Sequence, residues 1–184
     1  YSYTAEQEYP VNYRTKIDSD EKEILLDVNK LAKEHDGYYS AGNIKISPNN
    51  NLMAYYENTT GSDSYVLRIK NLSTLKMIND SLIEIGNVVW IDNKTILYTL
   101  QEKKTYRSYK VMKHTLGTPQ YTDELIFEEK DNQFGVGISK SYSKGYIFMF
   151  TSSNETSESY YLNTSIKNDT FKVISPKEKG HLYS

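Results

Sequence analysis

Cysteine is absent from all 184 residues. That excludes disulfides and thiolate metal sites. It agrees with a reducing compartment, and a cytoplasmic location is the expectation, although a cysteine-free chain is compatible with secretion too. A basic excess is also lacking: 22 Lys and Arg stand against 24 Asp and Glu, for a formal net charge of −2. With no basic stripe either, no nucleic-acid partner is expected. Long apolar runs are missing. The longest, Tyr146 to Phe150, is far too short to span a bilayer, so no membrane partner is expected. Alanine is scarce, which disfavours long helices. The opening Tyr1-Ser2-Tyr3-Thr4 has no initiator Met, basic region or apolar region of a signal peptide. It reads as a chain that starts in the middle of a longer one.

Catalytic signatures are missing too. Gly137-Ile138-Ser139-Lys140-Ser141 lacks the last glycine of a nucleophile elbow, and a turn and a strand follow it where an elbow needs a helix. Ser139 is therefore read as a strand residue. Gly135-Val136-Gly137 has no third glycine and no helix after it, so close packing is its expected role rather than a dinucleotide loop. His35, His114 and His181 are isolated in the sequence and are expected at loops or strand ends. No zinc site is expected from them. Asp18-Ser19-Asp20-Glu21 lacks the later ligands of a calcium loop and reads as a solvated turn. No cofactor, no metal and no catalytic residue is assigned to this chain. The sequons at Asn58, Asn71 and Asn154 are expected by chance in a chain rich in Asn, Ser and Thr.

What is present is strand-forming. Eighteen tyrosines and frequent Ile and Val favour β structure. Three stretches repeat one plan of four short strands. The first comprises 43–49, 52–56, 65–69 and 75–78. The second comprises 87–93, 95–99, 108–113 and 124–127. The third comprises 134–139, 146–150, 159–162 and 171–174. After each first strand comes a polar turn: Pro48 to Asn51, Asp92 to Lys94, and Ser141 to Gly145. Ile46, Trp90 and Ile138 recur at roughly 45 residues, the period of a propeller blade. A blade buries its faces only against its neighbours. The chain is thus expected to be all-β: a partial β-propeller of about three full four-stranded blades plus part of a first. The expected blades are 1–36 (partial), 42–80, 84–130 and 134–176, with 181–184 starting another. Within the partial blade, Tyr1 to Thr4 is a strand remnant, 9–14 and 23–28 are strands, and Asn29 to His35 is a helical turn. A sandwich of two stacked sheets is the competing fold. Most tyrosines are expected between the blades.

The carboxylates of Glu128, Glu129 and Asp131, with Glu158, are candidates for a domain-interface or substrate-facing role rather than for catalysis.

The strings Tyr9-Pro10-Val11-Asn12-Tyr13-Arg14, Ile24 to Asn29 and Ile46-Ser47-Pro48-Asn49 resemble the opening of the propeller in the prolyl oligopeptidase family. The run Tyr109 to Pro119 is similar to the Tyr-x-Val-Trp-Arg-His-x-Leu-Gly-Thr-Pro string of that family's oligopeptidase B (protease II) group. Glu128-Glu129-Lys130-Asp131 and Thr156-Ser157-Glu158 follow at the matching distances. The resemblance covers essentially the whole chain. Two places depart from it. Met112-Lys113 stands where Trp-Arg is usual, and Ser159-Tyr160 stands where Val-Arg is frequent, which bears on how the parent's two domains dock. The resemblance implies a seven-bladed propeller over a C-terminal α/β-hydrolase domain of the same polypeptide. That domain would carry a Ser–Asp–His triad and an acidic pocket for cutting short peptides after Arg or Lys. The propeller would exclude folded proteins, and domain opening would admit substrate. Isolated, the segment is expected to self-associate through uncovered end faces. Two alternatives stand: a prolyl oligopeptidase cutting after Pro, and a non-enzymatic scaffold for protein–protein interaction. Against the scaffold, no Trp-Asp dipeptide closes each unit.

Overall fold

A computed structural model describes residue 1 and residues 7–166 and 168–183. The strand remnant expected at Tyr1 to Thr4 lies, beyond Tyr1, outside the described residues.

Hairpin after hairpin builds the fold. Sheet I pairs β1 (Val11–Thr15) with β2 (Lys22–Asp27) and leads into the helix α1 (Val28–Glu34), where the helical turn was expected. Asp27 caps this helix by accepting from the Lys30 N–H at 3.2 Å. Sheet II is the meander β3 (Ser40–Ile46), β4 (Leu52–Asn58), β5 (Val66–Asn71) and β6 (Met77–Leu82). Sheet III repeats it with β7 (Ile85–Trp90), β8 (Thr95–Gln101), β9 (Ser108–Thr115) and β10 (Glu124–Glu128). Sheet IV repeats it again with β11 (Gly135–Lys140), β12 (Tyr146–Ser152), β13 (Ser157–Asn163) and β14 (Lys172–Ser175). Every pairing is antiparallel. The polar turns close the first hairpins as their residue types dictate. Asn50 and Lys144 take left-handed φ values of 60° and 63°, and Asp92 accepts the Lys94 N–H at 2.7 Å. His181 to Tyr183 forms no strand. The His181 carbonyl instead accepts the N–H of Ser157 at the start of β13.

The four sheets stack in chain order, and alternation along single strands shows how. In β4, Met53 and Tyr55 pack with Leu25 and Leu26 of sheet I, whereas Ala54 and Tyr56 pack with Val88 and Trp90 of sheet III. In β8, Ile96 and Tyr98 face sheet II, and Leu97 faces Val136, Ile147 and Met149 of sheet IV. Strands buried on both faces need apolar residues throughout, which is why Met53-Ala54-Tyr55-Tyr56 and Ile96-Leu97-Tyr98 read as continuous runs. Stacking of four sheets overturns the two-sheet sandwich. β12 behaves differently: Ile147 and Met149 are buried against sheet III, while Tyr146, Phe148 and Phe150 on its other face are 41%, 37% and 42% exposed.

Glycine permits close approach at Gly86, beside the Thr99 and Ser108 hydroxyls, and at Gly137. Gly137 lies opposite Phe150, and a Cβ on it would come within 2.2 Å of the Phe150 ring. The tyrosines divide: Tyr39, Tyr55, Tyr56 and Tyr98 are buried between sheets, whereas Tyr121 and Tyr142 are exposed.

Truncating Leu97 or Ile147 to Ala removes a fully buried side chain at the joint of sheets III and IV, and each should cost about 2–5 kcal/mol. Tyr142→Ser, on an exposed turn, should shift stability by less than about 0.5 kcal/mol. Denaturant titration of the three variants measures this; equal losses would contradict the stacking.

Candidate functional site

The first strands of the three larger sheets come together along one line, with β7 lying against β3 on one side and β11 on the other. Their C-terminal ends and following turns enclose a groove of about 1070 Å³. Its described lining includes Lys45, Lys140 and Lys144 and no Asp or Glu. Hydrogen bonds hold successive sheets in place around it. The Trp90 indole Nε1–H donates to the Lys45 carbonyl at 3.0 Å, and Lys140 Nζ donates to the Trp90 carbonyl at 2.6 Å. Asn49 N–H donates to Asn93 Oδ1 at 2.9 Å, and Arg14 Nη1 donates to the Asn50 carbonyl at 2.7 Å. Burial, and then the charge of Lys144, lower the pKa of Lys140 against the opposing pull of Asp92.

The four carboxylates singled out in the sequence lie at the opposite end of the sheets. In sheet III, the register runs from Ile85 through Leu100 and Lys110 to Glu128, one strand-length from Trp90. Glu158 lies opposite Thr151, far along the strands from Lys140. Two of the four are brought together. Glu129 is buried, accepts from Lys177 Nζ at 3.0 Å and accepts the Asp131 N–H at 3.0 Å. Asp131 in turn accepts the Gln133 N–H at 3.0 Å. Arg107 Nη1 donates to the carbonyls of Asp131 and Phe134 at 3.2 and 2.8 Å, and Lys177 sits 3.7 Å from the Phe134 ring centre. These bonds tie down the linker between sheets III and IV. Glu128 is apart from them and pairs with Lys110 at 3.4 Å. Glu158 lies beside Tyr160, whose pKa is raised by burial first and then by the hydrogen bond and charge of Glu158. Tyr160 also meets Phe127 across the sheet III–IV joint, with ring centres 5.8 Å apart.

His114 lies at a strand end, as expected, one residue before the end of β9, and it is 0% exposed with a carboxylate on each ring nitrogen. Asp123 Oδ1 is 2.7 Å from Nδ1, and Asp80 Oδ1 is 3.1 Å from Nε2. The Tyr98 hydroxyl donates to Asp123 at 2.8 Å, and the Gly117 N–H donates to Asp80 at 2.7 Å. This histidine–carboxylate arrangement is sealed from substrate, and among the described residues no serine bonds to it. Sequence reading missed it because Asp80 comes from sheet II, 34 residues before His114. The only local signal was the spacing of His114, Gly117 and Asp123. His35 and His181 do lie outside strands, next to α1 and after β14.

Comparison with known proteins places this geometry. The family model for the prolyl oligopeptidase N-terminal beta-propeller domain matches residues 1–184. The chain belongs to this family. It is 34% identical over 164 residues to a dipeptidyl aminopeptidase BI of Pseudoxanthomonas mexicana, covering 88% of this chain and 22% of the relative. It is 33% identical over 165 residues to a protease 2 of Moraxella lacunata, covering 88% and 24%. The chain therefore spans about a quarter of the length of these relatives. Among solved structures it superposes on oligopeptidase B from Leishmania major with a TM-score of 0.80 at 25% identity, covering 91% of this chain and 24% of that one. Oligopeptidase B from Trypanosoma brucei, with covalently bound antipain, gives 0.75 at 28% identity, covering 91% and 23%. The stacked antiparallel sheets are thus those of the family's propeller domain, related to that of oligopeptidase B.

Within this propeller domain, Trp90 is a joint residue as much as a core one. Trp90→Phe keeps most of the burial and removes the donor to the Lys45 carbonyl, so it should cost about 1–3 kcal/mol. Denaturant titration checks the loss. Faster hydrogen exchange in Ser40–Ile46 than in Tyr146–Ser152 locates it at the joint of sheets II and III.

Proposed function

We propose that the chain is the non-catalytic, substrate-gating part of an oligopeptidase B-like serine peptidase. The observation that carries the reading is the groove on which β3, β7 and β11 converge. In this reading each four-stranded sheet is one blade and sheet I part of another, within a ring of seven, with blades at 42–80, 84–130 and 134–176. The groove is a sector of the ring's axial passage. A C-terminal hydrolase domain of the same polypeptide would supply the nucleophile and cut short peptides after Arg or Lys. The ring would keep folded proteins away from it, in the cytoplasm. Glu128, Glu129, Asp131 and Glu158, at the end opposite the lysines, are proposed to mark the end that meets that domain or faces substrate, with Glu129 acting from inside by holding Lys177. The bare aromatic face of β12 supports a further blade packed on sheet IV, since single sheets rarely leave three neighbouring aromatics exposed without a partner. A second reading, cleavage after Pro, is favoured by a 29% identical prolyl endopeptidase of Elizabethkingia miricola that matches 89% of the chain.

The full-length protein should hydrolyse fluorogenic peptides ending in Arg or Lys and spare folded proteins, whereas the 184-residue chain alone should hydrolyse neither. Turnover by the purified chain would overturn the non-catalytic assignment, and preference for Pro would move the parent to the second reading. The chain alone should also self-associate in light scattering, and Phe148→Glu with Phe150→Glu should reduce that. A clean wild-type monomer at high concentration would count against an uncovered propeller face.

A further inference from the structure

We propose that His114 is a charged latch: an imidazolium clamped between Asp80 of sheet II and Asp123 of sheet III, which holds the two sheets together and lets them part when it loses its proton.

The hydrogen bonds dictate the charge. Asp80 Oδ2 already accepts the Gly117 N–H at 2.7 Å, and Asp123 Oδ2 already accepts the Tyr98 hydroxyl at 2.8 Å. Two ionised carboxylates offer the ring only acceptors. Each ring nitrogen must then carry a proton. A neutral ring would turn a lone pair towards either Asp123 or Asp80, at 2.7 or 3.1 Å, in a site closed to water. Burial by itself would lower the pKa of His114. The hydrogen bonds and charges of Asp80 and Asp123 outweigh it and leave the pKa raised above its ordinary 6.5. The groups facing the ring are Asp80 from β6, Asp123 ahead of β10 and, through Asp123, Tyr98 from β8. The neighbouring Lys113 pairs with Glu124 at 2.9 Å on the outer surface.

The latch closes an outer joint. Gln120 beside it exchanges two bonds of 3.0 Å with the N–H and carbonyl of Ile83, between β6 and β7. Gly117 takes φ +87°, the left-handed turn that aims its N–H at Asp80. His114 is sealed, so its proton can leave only when the joint opens. Opening and deprotonation are one event. With the folded pKa above the unfolded one, the latch contributes fully below about pH 6.5 and is lost as pH rises through the raised value.

Hydrogen exchange on the full-length protein tests this, comparing wild type with His114→Gln at matched pH. Near pH 6, segments Met77–Leu82 and Ser108–Thr115 should exchange at least about tenfold more slowly in wild type, and the ratio should fall towards one as pH rises through the raised value. A ratio that stays constant with pH would mean the ring acts only by its shape and would overturn the proposal. If His114→Gln does not fold, nitrogen-15 NMR of wild-type histidine decides. Two protonated ring nitrogens on His114 that persist to higher pH than in the denatured protein support the latch, and loss of one at or below the pH seen in the denatured protein overturns it.

Discussion

A four-stranded antiparallel sheet has two faces, and in this chain each face is closed only by another sheet. That constraint organises the rest. Sheets II and III lie between neighbours, so their second strands, β4 and β8, carry apolar residues on both sides. Sheet IV has one such neighbour and shows the intermediate case: β12 alternates between buried and exposed although its sequence, Tyr-Ile-Phe-Met-Phe, is apolar on both sides. β12 thus has the apolar pattern that β4 and β8 show between two layers.

Apolar burial brings the sheets face to face but does not fix their angle or offset, because dispersion and hydration forces are non-directional. Directional bonds do that at three places along the sheet II–III joint. At the groove, the Trp90 indole meets the Lys45 carbonyl; in the body, the Tyr56 hydroxyl meets the Gly86 carbonyl; at the rim, Asp80 meets His114. Three contacts that are not in line are enough to define one sheet's orientation on another. β3, β7 and β11 each start their sheet, and their C-terminal ends meet at the groove.

The fold was legible because repeating hairpins leave local marks. Asn, Asp, Ser and Gly recur after each first strand, and the apolar runs recur between them. The all-β class and the positions of most strands follow from that. β6 marks where this fails. The fourth strand was expected over 75–78, but β6 runs Met77–Leu82. An isolated strand would not hold Asp80 inward; the histidine of the next sheet does. The four acidic candidates illustrate a related point. A run of Glu and Asp looks like a single patch, but two of them, Glu129 and Asp131, are committed to backbone and lysine contacts that organise a linker. Side-chain direction and non-local partners are not encoded in spacing.

The string that made the family recognisable, Tyr109 to Pro119, was met first as a label. In the structure it is a joint. His114 supplies the ring that Asp80 and Asp123 clamp, Gly117 supplies the N–H that completes Asp80, and Leu116 packs against the core shared by sheets II and III. Residues whose partners lie in another sheet are the ones that neighbours in sequence cannot replace. Substituting the usual Trp-Arg by Met112-Lys113 fits that division. Met112 is a partly buried residue packed on the apolar core and Lys113 pairs with Glu124 at the surface, whereas the histidine after them has two carboxylates and no substitute.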